Sequence, residues 1–533
     1  MTAEDNPTVR SVFLNFEFIV DSIYDCECKL TIILAQIGTI CKIKAYQMRF
    51  IKAMSKERIN SYSHILKYIG LFGGVQAMSI GVALVRNKLV ALILGPGGMG
   101  LVSLFTSTVS MVTDLSSFGI GLSAVQKISK AYDQGDEESI AQSVRIVRYW
   151  CALLALMGTA LCIALSPFLS WFTFSWNGHT VHFICLSPIV GLSLLTLGET
   201  AIIKAVRELR RLALVSFYNI VGALIVSVPI YYLWGMKGIV PSLVLMAMVQ
   251  FLLTIHVSYR LYPLHLNFSK ALFHDGFGMI KLGTAFVAAG LFTSGTNFLI
   301  RSYLNNVAGL DIVGLYNAGT MMTLTYVGMV FTAMDTDYFP RLSGIKDLGV
   351  TFNTTVNRQI EVIFLVISPL LVAFIIFLPI ILPLLYSGKF MPVLAMAQVV
   401  VLAMYFRALE IPVEYITLAR GDSLSYLLIQ AVYAIIFTGF VVVGYQGYGL
   451  VGTGVGITLT TVVYLAFILL FSKSRYGFHL SPRVTGYVAV QLPIGLLAYA
   501  LTFLDRPFIY WPSGIVLCVV SALISLRIIR KKC

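Results

Sequence analysis

The sequence predicts an all-α polytopic membrane protein of about fourteen transmembrane helices. It reads as two six-helix bundles built from a parallel internal repeat, with two further helices at the C-terminus. Three observations carry this. First, 58% of the 533 residues are hydrophobic and only 12% are charged, against about 25% charged in soluble domains; the mean hydropathy is +0.87. Second, apolar runs of membrane-crossing length recur along the whole chain. Third, Lys and Arg alternate in density from loop to loop. Together these exclude a soluble enzyme, a disordered chain and a secreted disulfide scaffold.

A bilayer span needs about 20 apolar residues. Fourteen such runs lie between charged or turn-rich breaks: 66–94, 98–125, 146–174, 178–201, 211–234, 238–258, 277–304, 308–339, 358–385, 390–417, 423–445, 449–471, 484–504 and 510–528. The first, second, seventh and eighth have the length of bent helices. No loop between runs exceeds about 20 residues, which leaves no room for an extramembrane catalytic domain.

Sorting Lys and Arg by alternate loops gives 25 on one side and 6 on the other, Arg86, Lys88, Lys237, Arg301, Lys389 and Arg506. Arg407 falls inside a run. The positive-inside rule then puts both termini in the cytoplasm, and an odd number of spans would scramble the asymmetry. The net charge of +14 would suggest nucleic acid in a soluble protein; here it reports topology.

Residues 1–53 do not fit the pattern. They carry six basic and six acidic residues, and the apolar stretch 30–41 is too short to span. No signal-peptide cleavage site follows it. The stretch reads as an extension from a start placed too early, Met54 being the working start, or alternatively as a cytoplasmic or interfacial segment. The domains are then 1–53; 54–260, the first lobe with spans one to six; 261–475, the second lobe with spans seven to twelve; and 476–533, the last two spans and the C-terminus. Eight cysteines are scattered. Only Cys26 and Cys28 are close, and no zinc or disulfide framework emerges.

The halves of the chain align on each other. Lys67 matches Lys281, Phe72 matches Phe286, Arg86 matches Arg301, Gly100 matches Gly314, Ser129 matches Ser343, Arg145 matches Arg358, Glu199 matches Glu410 and Gly238 matches Gly449, at offsets between 211 and 215. Six spans separate equivalent points, so both copies share one orientation. Two such bundles can rock against each other around a site between them, the usual construction of an alternating-access transporter.

Three stretches then become recognisable: INSYSHILKYIGLFGGVQ at 59–76, RNKLVALILGPGGMGL at 86–101 and FGIGLS at 118–123. They resemble the bacterial polysaccharide transporter family, in particular Wzx-type O-antigen translocases of the multidrug/oligosaccharidyl-lipid/polysaccharide flippase superfamily. In span number and order the resemblance covers roughly residues 54–530, while residues 1–53 find no counterpart in it. It implies a MATE-like fold of two six-helix lobes around a central cavity, in the bacterial inner membrane. It also implies a substrate, an oligosaccharide carried on undecaprenyl pyrophosphate and turned from the inner to the outer leaflet. The implied partners are membrane lipids, a polysaccharide polymerase and assembly proteins of the same pathway.

Moving a hydrated pyrophosphate through the membrane requires a cationic wall in a watery cavity. Arg matches phosphate oxygens through its planar fork. Arg86 and Arg301, at equivalent places in the repeat, and Arg407, inside the tenth run, are the candidate substrate ligands, with Lys88 a weaker one nearer the outer surface. The plainer reading of Arg86 and Arg301 is snorkelling at the interface. Arg407, Glu410 and Glu414 share one helix face. They form either a structural ion pair or a cavity-facing set in which a carboxylate takes up a proton or Na⁺. Asp114 lies alone in the second run, either as a proton carrier or hydrogen-bonded to Thr113 and Ser117. Glu199, Asp335 and Asp337 read as solvated helix ends.

Gly95, Gly97 and Gly100 spell G-x-G-x-x-G but follow a long apolar helix rather than a strand, so they read as an inter-helix turn. His179 and His182 read as interfacial rather than metal-binding. No Walker A motif is present, and no cofactor is expected beyond H⁺ or Na⁺ coupling. The leading function is flipping of a lipid-linked oligosaccharide, and the alternative is a cation-coupled multidrug or metabolite antiporter of the same superfamily. A glycosyltransferase or polymerase is disfavoured, because the outer loops are short and nearly uncharged.

Overall fold

A computed structural model describes residues 56–263, 270–328, 330–331, 338–339, 341–345, 347–504 and 506–532. The segment 1–53, with Cys26, Cys28 and Cys41, lies outside them. Every regular element among the described residues is helical. Among the described residues, nine helical runs are long and apolar enough to cross a membrane. Three of these, Met78–Ser117, Arg210–Leu261 and Ser423–Tyr476, hold 40, 52 and 54 residues. At 1.5 Å per residue the last would reach about 80 Å, against a hydrocarbon core of about 30 Å.

Each long run is broken where the backbone leaves helical geometry. Gly95 (φ 65°) splits the first into α1 (56–94) and α2 (96–117). Gly235 (φ 54°) and a 3₁₀ turn separate α6 (Leu209–Trp234) from α7 (Ile239–Leu261). Tyr448 and Gly449 (φ 57°) split the third into α12 (423–447) and α13 (450–476). A Cβ at Gly456 would strike the Phe440 carbonyl, so α13 folds back along α12.

Between α2 and α4 (Glu137–Phe174) lies α3 (Ile120–Gln134), whose buried Ile120, Ala124, Ile128 and Ala131 form one stripe. Phe118 and Gly119 take φ of 43° and 66° and end α2 at Ser117. The second apolar run therefore does not continue to residue 125. Asp136 caps α4, accepting from the Glu138 amide at 3.1 Å, as expected at a helix N-terminus. Then follow α5 (Thr180–Ala205), α8 (Lys270–Ala308), α9 (Leu310–Thr320), which runs on into a π turn Met321–Val327, α10 (Val350–Leu385), α11 (Leu394–Ala419), α14 (Pro482–Leu501) and α15 (Pro507–Lys532).

The repeat is written in the backbone. Positive φ occurs at Gly95 and Gly309 (65° and 87°), at Arg207 and Gly421 (60° and 65°), and at Gly235 and Gly449 (54° and 57°). Each pair is separated by 214 residues, within the offset read from side chains. α2 and α9 cross at Gly100 and Gly314, also 214 apart. A Cβ on Gly100 would fall on the Leu310 carbonyl, and one on Gly314 on the Pro96 carbonyl. Small residues that let backbones touch are the usual membrane helix contact.

The lobes also meet where α1, α4, α8 and α10 end, on the face poor in Lys and Arg. Phe172 stacks on Phe298 at 5.3 Å. Asn305 and Asn306 each donate to a carbonyl at the end of α4, those of Thr173 and Phe172, at 2.9 Å. Asn87 donates to the Tyr326 hydroxyl at 2.8 Å. The last two helices join the second lobe: the Tyr510 hydroxyl donates to the Ile376 carbonyl at 2.7 Å, and buried Gln491 of α14 bonds Ser521 and Ser525 of α15.

Candidate functional site

α11 carries Arg407, Glu410 and Glu414 on one face, and the fold sets them against α9 and α12. Arg407 Nε stands 3.3 Å from Glu410 Oε1, and the Glu410 side chain is 1% exposed. Glu410 Oε2 is buried and accepts no hydrogen bond among the described residues. Glu414 accepts from the Gln430 amide of α12. Arg407 and Glu414 line a cavity of about 500 Å³ with Leu324, Gly328 and Tyr426. The Arg407–Glu410 pair expected from spacing is present, and Arg407 and Glu414, but not buried Glu410, line the cavity.

Arg86 and Arg301 are not equivalent in the structure. Counted back from the positive-φ glycine that ends each helix, Arg86 is nine residues from Gly95 and Arg301 eight from Gly309. One residue turns a side chain by about 100°. Arg86 accordingly points within its own lobe, donating from Nε to Ser227 Oγ at 3.1 Å and lying 3.3 Å from Met246 Sδ. Arg301 points to α9, donating to Asn317 Oδ1 at 3.2 Å, while its Nε is buried with no acceptor among the described residues. Among the described residues neither guanidinium has a carboxylate partner. The geometry does not bring the two together. Lys88 donates to the Pro383 carbonyl of α10 at 2.6 Å, which ties α1 to the second lobe.

Asp114 faces Ser294 of α8, across the lobe boundary. The local explanation does not hold: Ser117 Oγ donates to the Asp114 carbonyl and Thr113 Oγ1 to the Val109 carbonyl.

Glu199 is a second correction. It is 5% exposed, not a solvated helix end. Arg148 of α4 grips it through two bonds of 3.0 and 3.2 Å, and Ser258 of α7 donates to the same carboxylate. The guanidinium also donates to the Tyr262 and Pro263 carbonyls at 2.9 and 3.0 Å and stacks on Tyr259. Sequence reasoning missed this pair because the partners are 51 residues apart; a carboxylate inside an apolar run was the available signal. Asp335 and Asp337 lie outside the described residues.

His179 stacks on Phe174 at 4.0 Å, and His182 lies against Phe105. The pair is part of an aromatic cluster, and no group of three or more metal-ligating side chains occurs among the described residues. Gly95 makes the turn expected of the glycine-rich stretch, and Cys151, Cys162, Cys185 and Cys518 are free thiols.

The profile of the family described as polysaccharide biosynthesis protein matches residues 31–346. The chain belongs to the polysaccharide biosynthesis protein family. The match reaches back to residue 31, so residues 31–53 do have a counterpart in this family. No curated protein matches the chain in sequence. Among solved structures, a MATE family multidrug resistance transporter of the MOP superfamily, in an inward-facing conformation, matches with TM-score 0.63 and 14% identity over 77% of this chain and 95% of that one. The lipid II flippase MurJ, inward closed, matches with TM-score 0.63 and 13% identity over 87% and 99%. A MOP superfamily transporter from Pyrococcus furiosus matches with TM-score 0.53 and 15% identity over 76% and 93%. At these identities the likeness concerns the fold: this polysaccharide biosynthesis family member is a multi-pass membrane protein of MOP-type architecture.

Proposed function

We propose that the protein translocates an oligosaccharide linked to undecaprenyl pyrophosphate, an O-antigen or related surface-polysaccharide unit, from the inner to the outer leaflet of the bacterial inner membrane. The observation that carries this is Arg86 and Arg301. Each is a cation inside a helical bundle, held by neutral groups alone among the described residues. A buried charge without its counterion is costly, and an anionic headgroup is a chemically matched counterion. Arg407 is a third candidate, and Lys88 a weaker one because its ammonium already serves a carbonyl. The family supports the substrate class, and the repeat supports rocking of the two lobes. Both termini would be cytoplasmic, on the side of the 25 loop cations.

A second reading, cation-coupled antiport, is favoured by Arg407, Glu410 and Glu414. A buried Glu410 whose Oε2 accepts no hydrogen bond among the described residues, one turn from Glu414 on the wall of a cavity, suits uptake of H⁺ or Na⁺ and serves equally as the coupling site of a flippase. Asp114, facing the other lobe, is a further coupling candidate. The test is the variant R86Q/R301Q, read for flipping and for membrane abundance. Flipping should fall at least about tenfold at unchanged abundance; transport at the wild-type rate contradicts the anion-binding role.

A further inference from the structure

A well-defined cavity lies away from Arg86, Arg301 and Arg407. It measures about 980 Å³ and sits where the start of α10, the segment joining α13 to α14, and the end of α15 meet. That size is at the upper end of small-ligand sites, about 300–1,000 Å³. The cavity opens on the face whose loops carry most of the Lys and Arg.

Its wall is pre-built. Asn353 Oδ1 accepts from the His479 amide at 3.0 Å. Asn357 donates to the His479 carbonyl at 2.8 Å and accepts from the Ser481 amide at 2.6 Å. Two asparagines one helical turn apart thus fasten 477–481 to α10, and Ser481 caps α14 by accepting from the Val484 amide. This places Arg483 in the same cavity wall as Arg358. Both are exposed and line the cavity, and neither has a hydrogen-bond or carboxylate partner among the described residues. Gly349 and Val350, at the α10 N-terminus, line it too, and among the described residues no side chain caps that end. The helix dipole therefore adds to the positive field. Glu361, also in the wall, is buried, so the two exposed guanidiniums outnumber the one carboxylate of the lining. Behind the polar mouth stand Val362, Leu365 and Ile529.

We propose that this cavity binds one anionic glycerophospholipid of the surrounding leaflet, its phosphate on Arg358 and Arg483 and its diacyl end against Val362, Leu365 and Ile529. Basic pockets between transmembrane helices on the cytoplasmic side suit such headgroups. The apolar back wall favours a lipid over a free phosphate. The site joins α14 and α15 to the second lobe and stands apart from Arg86, Arg301 and Arg407, so it does not depend on what the protein transports.

The test is native mass spectrometry of the full chain in detergent, titrated separately with phosphatidylglycerol, phosphatidylcholine and inorganic phosphate. One phosphatidylglycerol should bind about thirtyfold more tightly than phosphatidylcholine, and R358Q/R483Q should erase that preference. R358K/R483K should keep most of it, and the thermal unfolding midpoint of each variant reports whether it is folded. Equal binding of the two lipids, or unchanged preference in folded R358Q/R483Q, overturns the proposal. So does inorganic phosphate that displaces phosphatidylglycerol at equal concentration, which would make this a free-anion site.

Discussion

Gly100 and Gly314 meet at a crossing that reads the same from either side. A Cβ on either would stand 3.0 Å from the other's amide nitrogen, and each would also strike the carbonyl four residues before its partner, Leu310 and Pro96. Reciprocal contact of residues 214 apart places a pseudo-twofold axis between them. The lobes are therefore joined at the centre of their symmetry by bare backbone.

From this follows an expectation for stability and motion. G100A and G314A should each destabilise by about 1–3 kcal/mol, the usual range for overpacking, because backbone carbonyls cannot rotate away. G290A meets nothing within 4 Å and should be neutral or slightly stabilising. Thermal unfolding in detergent checks all three. Equal midpoints for G100A and G290A would contradict the close crossing.

Arg148 and Glu199 should behave as a buried pair. R148M or E199L alone leaves one charge buried and should cost about 3–5 kcal/mol, whereas R148M/E199L should recover most of that loss. The same thermal measurement reads the cycle. A double variant as damaged as the sum of the two singles would show that the residues act independently.

Glu414 and Glu410 should separate ion coupling from folding. E414Q should abolish the response of transport to an imposed H⁺ or Na⁺ gradient while leaving substrate binding within about twofold, since Glu414 lines the cavity and a neutral amide takes up no proton and offers no negative charge to hold Na⁺. E410Q should lower stability as well, because it leaves Arg407 as the charge without its ion-pair partner. Gradient-driven uptake in vesicles distinguishes the two.

Asp422 gives a pH dependence outside the membrane. The Ser425 hydroxyl, then the Ser425 amide, the Tyr476 hydroxyl and Arg475 all donate to its carboxylate and hold its pKa below the ordinary value. A folded-state pKa below the unfolded one stabilises fully above the unfolded value, and the stabilisation is lost as pH falls through the folded value. D422N should therefore flatten the acid side of the stability–pH profile and leave its neutral-to-basic slope unchanged. Thermal scans between pH 3 and pH 7 check this.

Much of the architecture was legible in the chain because hydrocarbon imposes helices of fixed length. The breaks at Gly95, Gly235 and Tyr448 fall where apolar runs were separated. The repeat showed through Gly100 and Gly314, residues chosen for backbone geometry rather than chemistry. Arg86 and Arg301 misled because matching identity at an offset of 215 ignores rotation: the backbone repeats at 214, and one residue redirects the side chain. Glu199 misled because its partner is distant in sequence. The α10–α14 pocket was not legible, since Asn353 and Asn357 are unremarkable until 477–481 folds onto them.

The central claim is tested most directly by reconstituting the full chain into vesicles with an undecaprenyl-pyrophosphate-linked oligosaccharide and following exposure of the sugar to an enzyme or lectin added on one side. The expected result is exposure of the initially protected pool, dependent on the protein and lost in R86Q/R301Q. A protected pool that stays protected across a panel of such lipids, with the protein folded and correctly inserted, would contradict translocation of this substrate class.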